Sequence, residues 1–145
     1  MRLFVPILSS VLLVAAPAFA TPPREQSPAP TDLLAAVGAG NSDAELQAAI
    51  AAAAAHPLGS LQNPVRVGGP EGEQAYLARL RCGDGSAPKV GGKKAGGVGA
   101  YGSVVDSFAV DCSPAAPGSV RLAFDIYHQE HVEQRAPAGF RIDPR

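Results

Sequence analysis

The chain has 145 residues, with 12 Lys and Arg against 13 Asp and Glu, two Cys and no Trp. This length suits one domain and hardly two. The charge balance lacks the basic excess expected of a nucleic-acid binder.

The chain opens with Arg2, the apolar run LFVPILSSVLLVAA, and then PAFA, in which Ala18 and Ala20 form an A-x-A pattern. This predicts a secretory signal peptide over residues 1–20, cut after Ala20 to leave Thr21 as the mature N-terminus. A membrane anchor is the competing reading, but the run is shorter than the roughly 20 residues that cross a bilayer, and Pro17 ends it. No cysteine lies near the cut, which argues against a lipid-modified N-terminus. Without Arg2 the mature chain carries 11 basic and 13 acidic residues, a net charge of −2. The expectation is a periplasmic or secreted protein with no membrane span after cleavage and no nucleic-acid partner.

Residues 21–30 hold four prolines, at 22, 23, 28 and 30, and read as an extended, mobile leader. Residues 31–57 read as an Ala-rich helical segment. TDLLAAVGAG offers a short helix from Thr31 to a stop at Gly38. In NSDAELQAAIAAAAAHP, Ser42 and Glu45 make a capping box and Pro57 ends the second helix. Its apolar stripe of Leu46, Ala49, Ile50 and Ala53 is mostly methyl groups, so the helix is expected to lie at the periphery. His56 reads as a cation at its C-terminus. The Ala tract also allows a low-complexity spacer.

Residues 58–145 read as a small, mostly β domain. NPVRV is a short strand behind an Asn-Pro turn, and GGPEGEQ reads as a loop. AYLARLRC alternates, with Tyr76, Ala78, Leu80 and Cys82 on one face, and is read as a strand. GDGS is a turn, KVGGKKAGGVGAYG a long Gly-rich connection, SVVDSFAVDC a strand and SPAAPG a turn. SVRLAFDIYH alternates most clearly, with Val120, Leu122, Phe124 and Ile126 inward. The pattern predicts an α+β fold, an antiparallel sheet of three to five strands with one or two N-terminal helices.

Cys82 and Cys112 close two of these strands on the inward face, and an exported chain favours their disulfide. Closing a loop of about 30 residues stabilises the fold by roughly 3.5 kcal/mol on the loop-entropy model. A redox pair would want C-x-x-C spacing, which is absent.

Three stretches invite a chemical reading. GVGAYG, residues 97–102, matches G-x-G-x-x-G, but SAPKVGGKKAG before it is no strand and VVDSFAV after it is β-prone, so a dinucleotide site is set aside in favour of a flexible loop. Within that loop Lys89, Lys93 and Lys94, beside open backbone amides, are candidates to hold an anion.

DIYHQEH, residues 125–131, is the second. On a continuing strand His128 and His131 would point to opposite faces. Only a change of conformation after Asp125 would let His128, His131, Asp125 and Glu130 or Glu133 ligate zinc together. The plainer reading is a polar segment leaving the strand, with both histidines solvent-facing or partly covered and paired to nearby carboxylates.

The third is a set of carboxylates, Asp106, Asp111 and Asp125, able to approach one another on adjacent strands. Without a pocket they carry no assignment. There is no G-x-S-x-G, and no catalytic residue is named.

The stretches HPLGSLQNPVRV, GEQAYLARLRCGDGSAP, VVDSFAVDC and DIYHQEHVE resemble a set of small exported bacterial proteins of no assigned function. The likeness covers residues 56–142. It implies secretion and a single domain, and carries no activity.

The functional expectation is therefore a non-catalytic module of the cell envelope or exterior. It would bind a protein or small ligand through a sheet face or the Gly loop, or inhibit an enzyme through the Cys82–Cys112 loop, with no cofactor. The alternative is a zinc-dependent enzyme or metal-binding protein centred on His128 and His131.

Overall fold

The computed structural model describes residues 42–145; the signal peptide, the leader and the Thr31–Gly38 helix expected from sequence lie outside the described residues. The first described element is helix α1, Asp43–Ala53. Its start is the capping box: the Ser42 side chain accepts from the Glu45 amide at 3.3 Å, and Glu45 Oε2 takes the Ser42 amide at 2.8 Å. Only Ala53 of this helix is buried, as a stripe of methyl groups dictates. His56 lies exposed just beyond the last turn, its amide donating to the Ala53 carbonyl at 2.9 Å.

Strand β1, Val65–Arg66, follows, and then a correction. GGPEGEQAYLAR is neither loop nor strand; Gly69–Arg79 is helix α2. Pro70 sits in its first turn, where its missing N–H costs nothing. Glu73, Tyr76, Leu77 and Leu80 are all buried, at the i, i+3, i+4, i+7 spacing of a helical stripe. That helical phase outweighs the short alternation from Tyr76 to Cys82. Strand β2 is only Leu80–Arg81.

The Gly-rich connection is likewise corrected. Lys89–Val98 is strand β3, paired antiparallel along its length with β4, Val104–Asp111. Strand β5 is Ser119–Asp125 and β6 is Arg141–Ile142. The main sheet runs β1-β5-β4-β3, and β2 pairs with β6 in a separate two-stranded ribbon. The fold is α+β as expected, but the sheet is mixed, because β1 lies parallel to β5 with Val65 opposite Phe124.

The register sorts the side chains. Asp106 lies opposite Phe124, Phe108 opposite Leu122 and Val110 opposite Val120, so these six share the face covered by α2. Phe124 is fully buried there, with Tyr76 and Phe108 edge-on to it at 5.7 and 5.5 Å between ring centroids. Asp125, Ala123 and Arg121 belong to the opposite face, as does Arg66, the register partner of Asp125.

The disulfide joins Cys82 to Cys112, with Cα atoms 5.6 Å apart and both residues buried. Its partners end β2 and β4, which are not neighbours in one sheet. The bridge therefore ties the β2–β6 ribbon to the main sheet, and the segment it encloses is largely the β3–β4 hairpin. No helix among the described residues is long and apolar enough to cross a membrane.

Candidate functional site

DIYHQEH begins where β5 stops pairing. Asp125 is the last strand residue, and a turn closed by the His131 amide on the His128 carbonyl, 3.0 Å, redirects the chain. The conformational change that a shared site requires is thus present. The chain stays tied to β1's extension: Val67 donates to the Asp125 carbonyl at 2.9 Å, and His128 donates back to Val67 at 3.2 Å.

Asp125 is fully buried. Its Oδ2 accepts a short hydrogen bond from Ser103 Oγ, and its Oδ1 accepts from the Tyr127 amide at 3.1 Å. His128 Nε2 lies 3.6 Å from Oδ1. Burial pushes the Asp125 pKa up, but the contacts from His128, Ser103 and the Tyr127 amide together outweigh it and hold the carboxyl below its ordinary value. Because Ser103 gives its proton to the carboxylate and not to a histidine, the three residues do not form a nucleophile relay.

His128, expected to be solvent-facing or only partly covered, is covered more fully than that. Its side chain is 10 % exposed and packs edge-on against Tyr101, centroids 5.2 Å apart. Tyr101 in turn reaches Asn63, whose amide donates to the His56 carbonyl at 2.8 Å just beyond α1. His131 is partly covered, as expected, with Nε2 3.5 Å from Glu133 Oε2. Burial, and then the Arg66 charge, lower its pKa.

Glu133 was only an alternate ligand in the sequence reading, yet it is the best-held carboxylate of the segment. Oε1 accepts from the backbone amides of Gln134 and Arg135, and Arg135 forks onto both oxygens at 2.9 Å. Burial pushes its pKa up, but the Arg135 donors win and bring it to about 2. Glu130 is exposed. Among the described residues, no group of three or more His, Cys, Asp or Glu side chains is placed to hold a metal ion.

These elements line an open cavity of about 220 Å³. Its walls are Ile50 and Ala54 at one end and Asn63, Arg66, Tyr101, His131, Glu133 and Arg135 around the rest. Arg66 and Asn63 of NPVRV and Tyr101 of the β3–β4 turn escaped the sequence reading because they lie far in sequence from His131 and Glu133. The alternation of NPVRV was the one available signal, since it turns Arg66 away from the core that takes Val65 and Val67.

A second polar cluster lies under α2. Glu73 is fully buried; its Oε2 is 3.4 Å from Lys93 Nζ, which is 2.9 Å from Asp106 Oδ2. Burial and the neighbouring Asp106 raise the Glu73 pKa to about 7, against the pull of Lys93. Asp106 thus meets Glu73, not Asp111 or Asp125: Asp111 lies at the far end of β4, and Asp125 is on the other face. Of the three lysines named as anion candidates, Lys93 is spent on carboxylates, whereas Lys89 and Lys94 stand exposed on β3.

Compared with known proteins, the chain matches no family model, no curated protein and no solved structure.

Proposed function

We propose that the chain is an exported, non-catalytic binding module whose ligand is a small organic anion held in the cavity between α1 and the Arg66–His131–Arg135 surface. The observation that carries this reading is unspent donor capacity. Among the described residues the Arg66 side chain makes no hydrogen bond or ion pair, and the buried His131 Nε2 has only Glu133 Oε2 near it, at 3.5 Å and without a hydrogen bond. The one carboxylate in the wall, Glu133, is already satisfied by Arg135. A ligand carboxylate or phosphate would supply the missing acceptors, and Ile50 and Ala54 offer its carbon skeleton an apolar wall. A volume of about 220 Å³ lies below the range for drug-sized ligands, so the ligand is small. Export rests on the Ala18-x-Ala20 pattern and agrees with a buried disulfide.

The test is calorimetric titration of the full chain with a panel of small carboxylates, inorganic phosphate and zinc chloride. A saturable anion isotherm that weakens at least tenfold in Arg66→Gln supports the reading. Anions that bind equally well to both proteins would overturn it. Zinc binding that is lost in His128→Ala would instead favour the metal-binding alternative.

A further inference from the structure

β3 lies at one edge of the main sheet and, among the described residues, pairs only with β4. It is the longest strand of the domain, ten residues, and nine of them are exposed. A strand edge of this length presents a row of unpaired backbone donors and acceptors, a ready template for another extended chain.

The side chains say what kind of chain. Lys89 and Lys94 are five residues apart, an odd spacing that would send them to opposite faces of a regular strand. The register shift between Val90 and Lys93 absorbs one residue, so Lys89 lies opposite Asp111 and Lys94 opposite Ser107, both on the same face. The bulge therefore turns two exposed lysines into a pair about 13 Å apart along one face of the edge. On the other face Val90 and Val98 are 44 % and 63 % exposed, while Lys93 between them is drawn down onto Asp106.

The glycines of β3 answer to its pairing with β4 and keep its outer edge free of side chains. A Cβ on Gly91 would crowd Ala109 at 3.3 Å, a Cβ on Gly96 would meet Val105 at 2.9 Å, and Gly97 needs glycine for its φ of +95°. At Gly92 a Cβ would meet nothing within 4 Å, and the residue lies in the bulge between Val90 and Lys93.

We infer that β3 is a docking edge for an acidic extended segment of a partner protein, which adds as a fifth strand with carboxylates four residues apart over Lys89 and Lys94. Apolar side chains at the alternate positions would cover Val90 and Val98. A second copy of this chain is the poorer occupant, because β3 against β3 sets lysines against lysines.

The probe is a synthetic peptide, Val-Glu-Val-Thr-Val-Glu-Val, with a control in which both Glu are Lys, titrated onto the full chain at low salt. Binding of the acidic peptide alone is expected, with new amide-exchange protection confined to residues 89–98. The double variant Lys89→Glu, Lys94→Glu should weaken that peptide roughly tenfold or more and admit the control. Its denaturation curve is expected to stay close to the parent's, since both side chains are exposed, with a small loss because Lys89→Glu faces Asp111 on β4. Equal binding of the two peptides, no binding of either, or protection elsewhere would overturn the inference. So would protection, in the free protein, of those β3 amides that point away from β4, whether by dimer formation or by the chain's own N-terminal residues.

Discussion

Glu73 makes the protein more stable in mild acid than at slightly alkaline pH. Its carboxyl is buried on α2 against Asp106 and Lys93, with Oε1 unpartnered when drawn as a carboxylate. Protonation resolves that orphan, because the acid can then donate to Asp106, one of the causes that lift its pKa from 4.5 to about 7. A folded-state pKa above the unfolded one means the native protein holds this proton more tightly. The associated stability is complete below about pH 4.5 and disappears as the pH rises through about 7. At 1.36 kcal/mol per pH unit the gap corresponds to about 3 kcal/mol between pH 4.5 and 8. Glu73→Gln keeps the shape and a donor and cannot ionise. Urea unfolding of both proteins at several pH values should give similar stabilities near pH 5 and an advantage for the variant of about 3 kcal/mol near pH 8. Comparing the two at each pH cancels His131, whose lowered pKa acts in the opposite sense, its share being lost as the pH falls below 6.5. Parallel curves from pH 5 to 8 would refute the reasoning, as would a large loss in the variant at pH 5.

Phe124→Ala should cost about 3–5 kcal/mol in the same unfolding assay, because the ring is fully buried between Tyr76 and Phe108. His128→Ala should cost about 1–2 kcal/mol, since it uncovers Tyr101 and removes a contact of buried Asp125. His131→Ala should stay within about 0.5 kcal/mol. Equal losses in the two histidine variants would contradict the different burial of the two rings.

The legible parts were those in which local chemistry and final packing agree. Ser42 and Glu45 announce a helix start that depends on nothing distant, and Val120 to Phe124 alternate as a half-buried strand must. What escaped is decided across the sheet. β3 is almost without apolar periodicity, and its extended form is imposed by β4, with glycines admitted where Val105 and Ala109 crowd the strand. α2 was hidden by Gly69, Pro70 and Gly72, although Glu73 shares the spacing of Tyr76, Leu77 and Leu80 and could have been seen by its phase. The candidate site was half legible. The polar turn after Asp125 was plain, and the NPVRV alternation turned Arg66 from the core, but the parallel pairing that brings Arg66 there and the loops that bring Tyr101 and Asn63 are encoded by no local pattern.

The strand pairings also govern the order in which the domain can assemble. Only the β3–β4 and β4–β5 pairings join neighbours in sequence; Val65 must find Phe124, and Leu80 must find Ile142, each far along the chain. Distant partners make for slow closure, because the loop entropy is spent before the contacts repay it. The hairpin is therefore expected to form first, with the parallel strand and the ribbon waiting on a diffusive search. Once formed, the Cys82–Cys112 bond shortens that search for the ribbon by holding Leu80 close to the finished sheet. Oxidation before complete folding should therefore accelerate the last step, while a reduced chain lingers with the apolar faces of Val65 and Phe124 still apart.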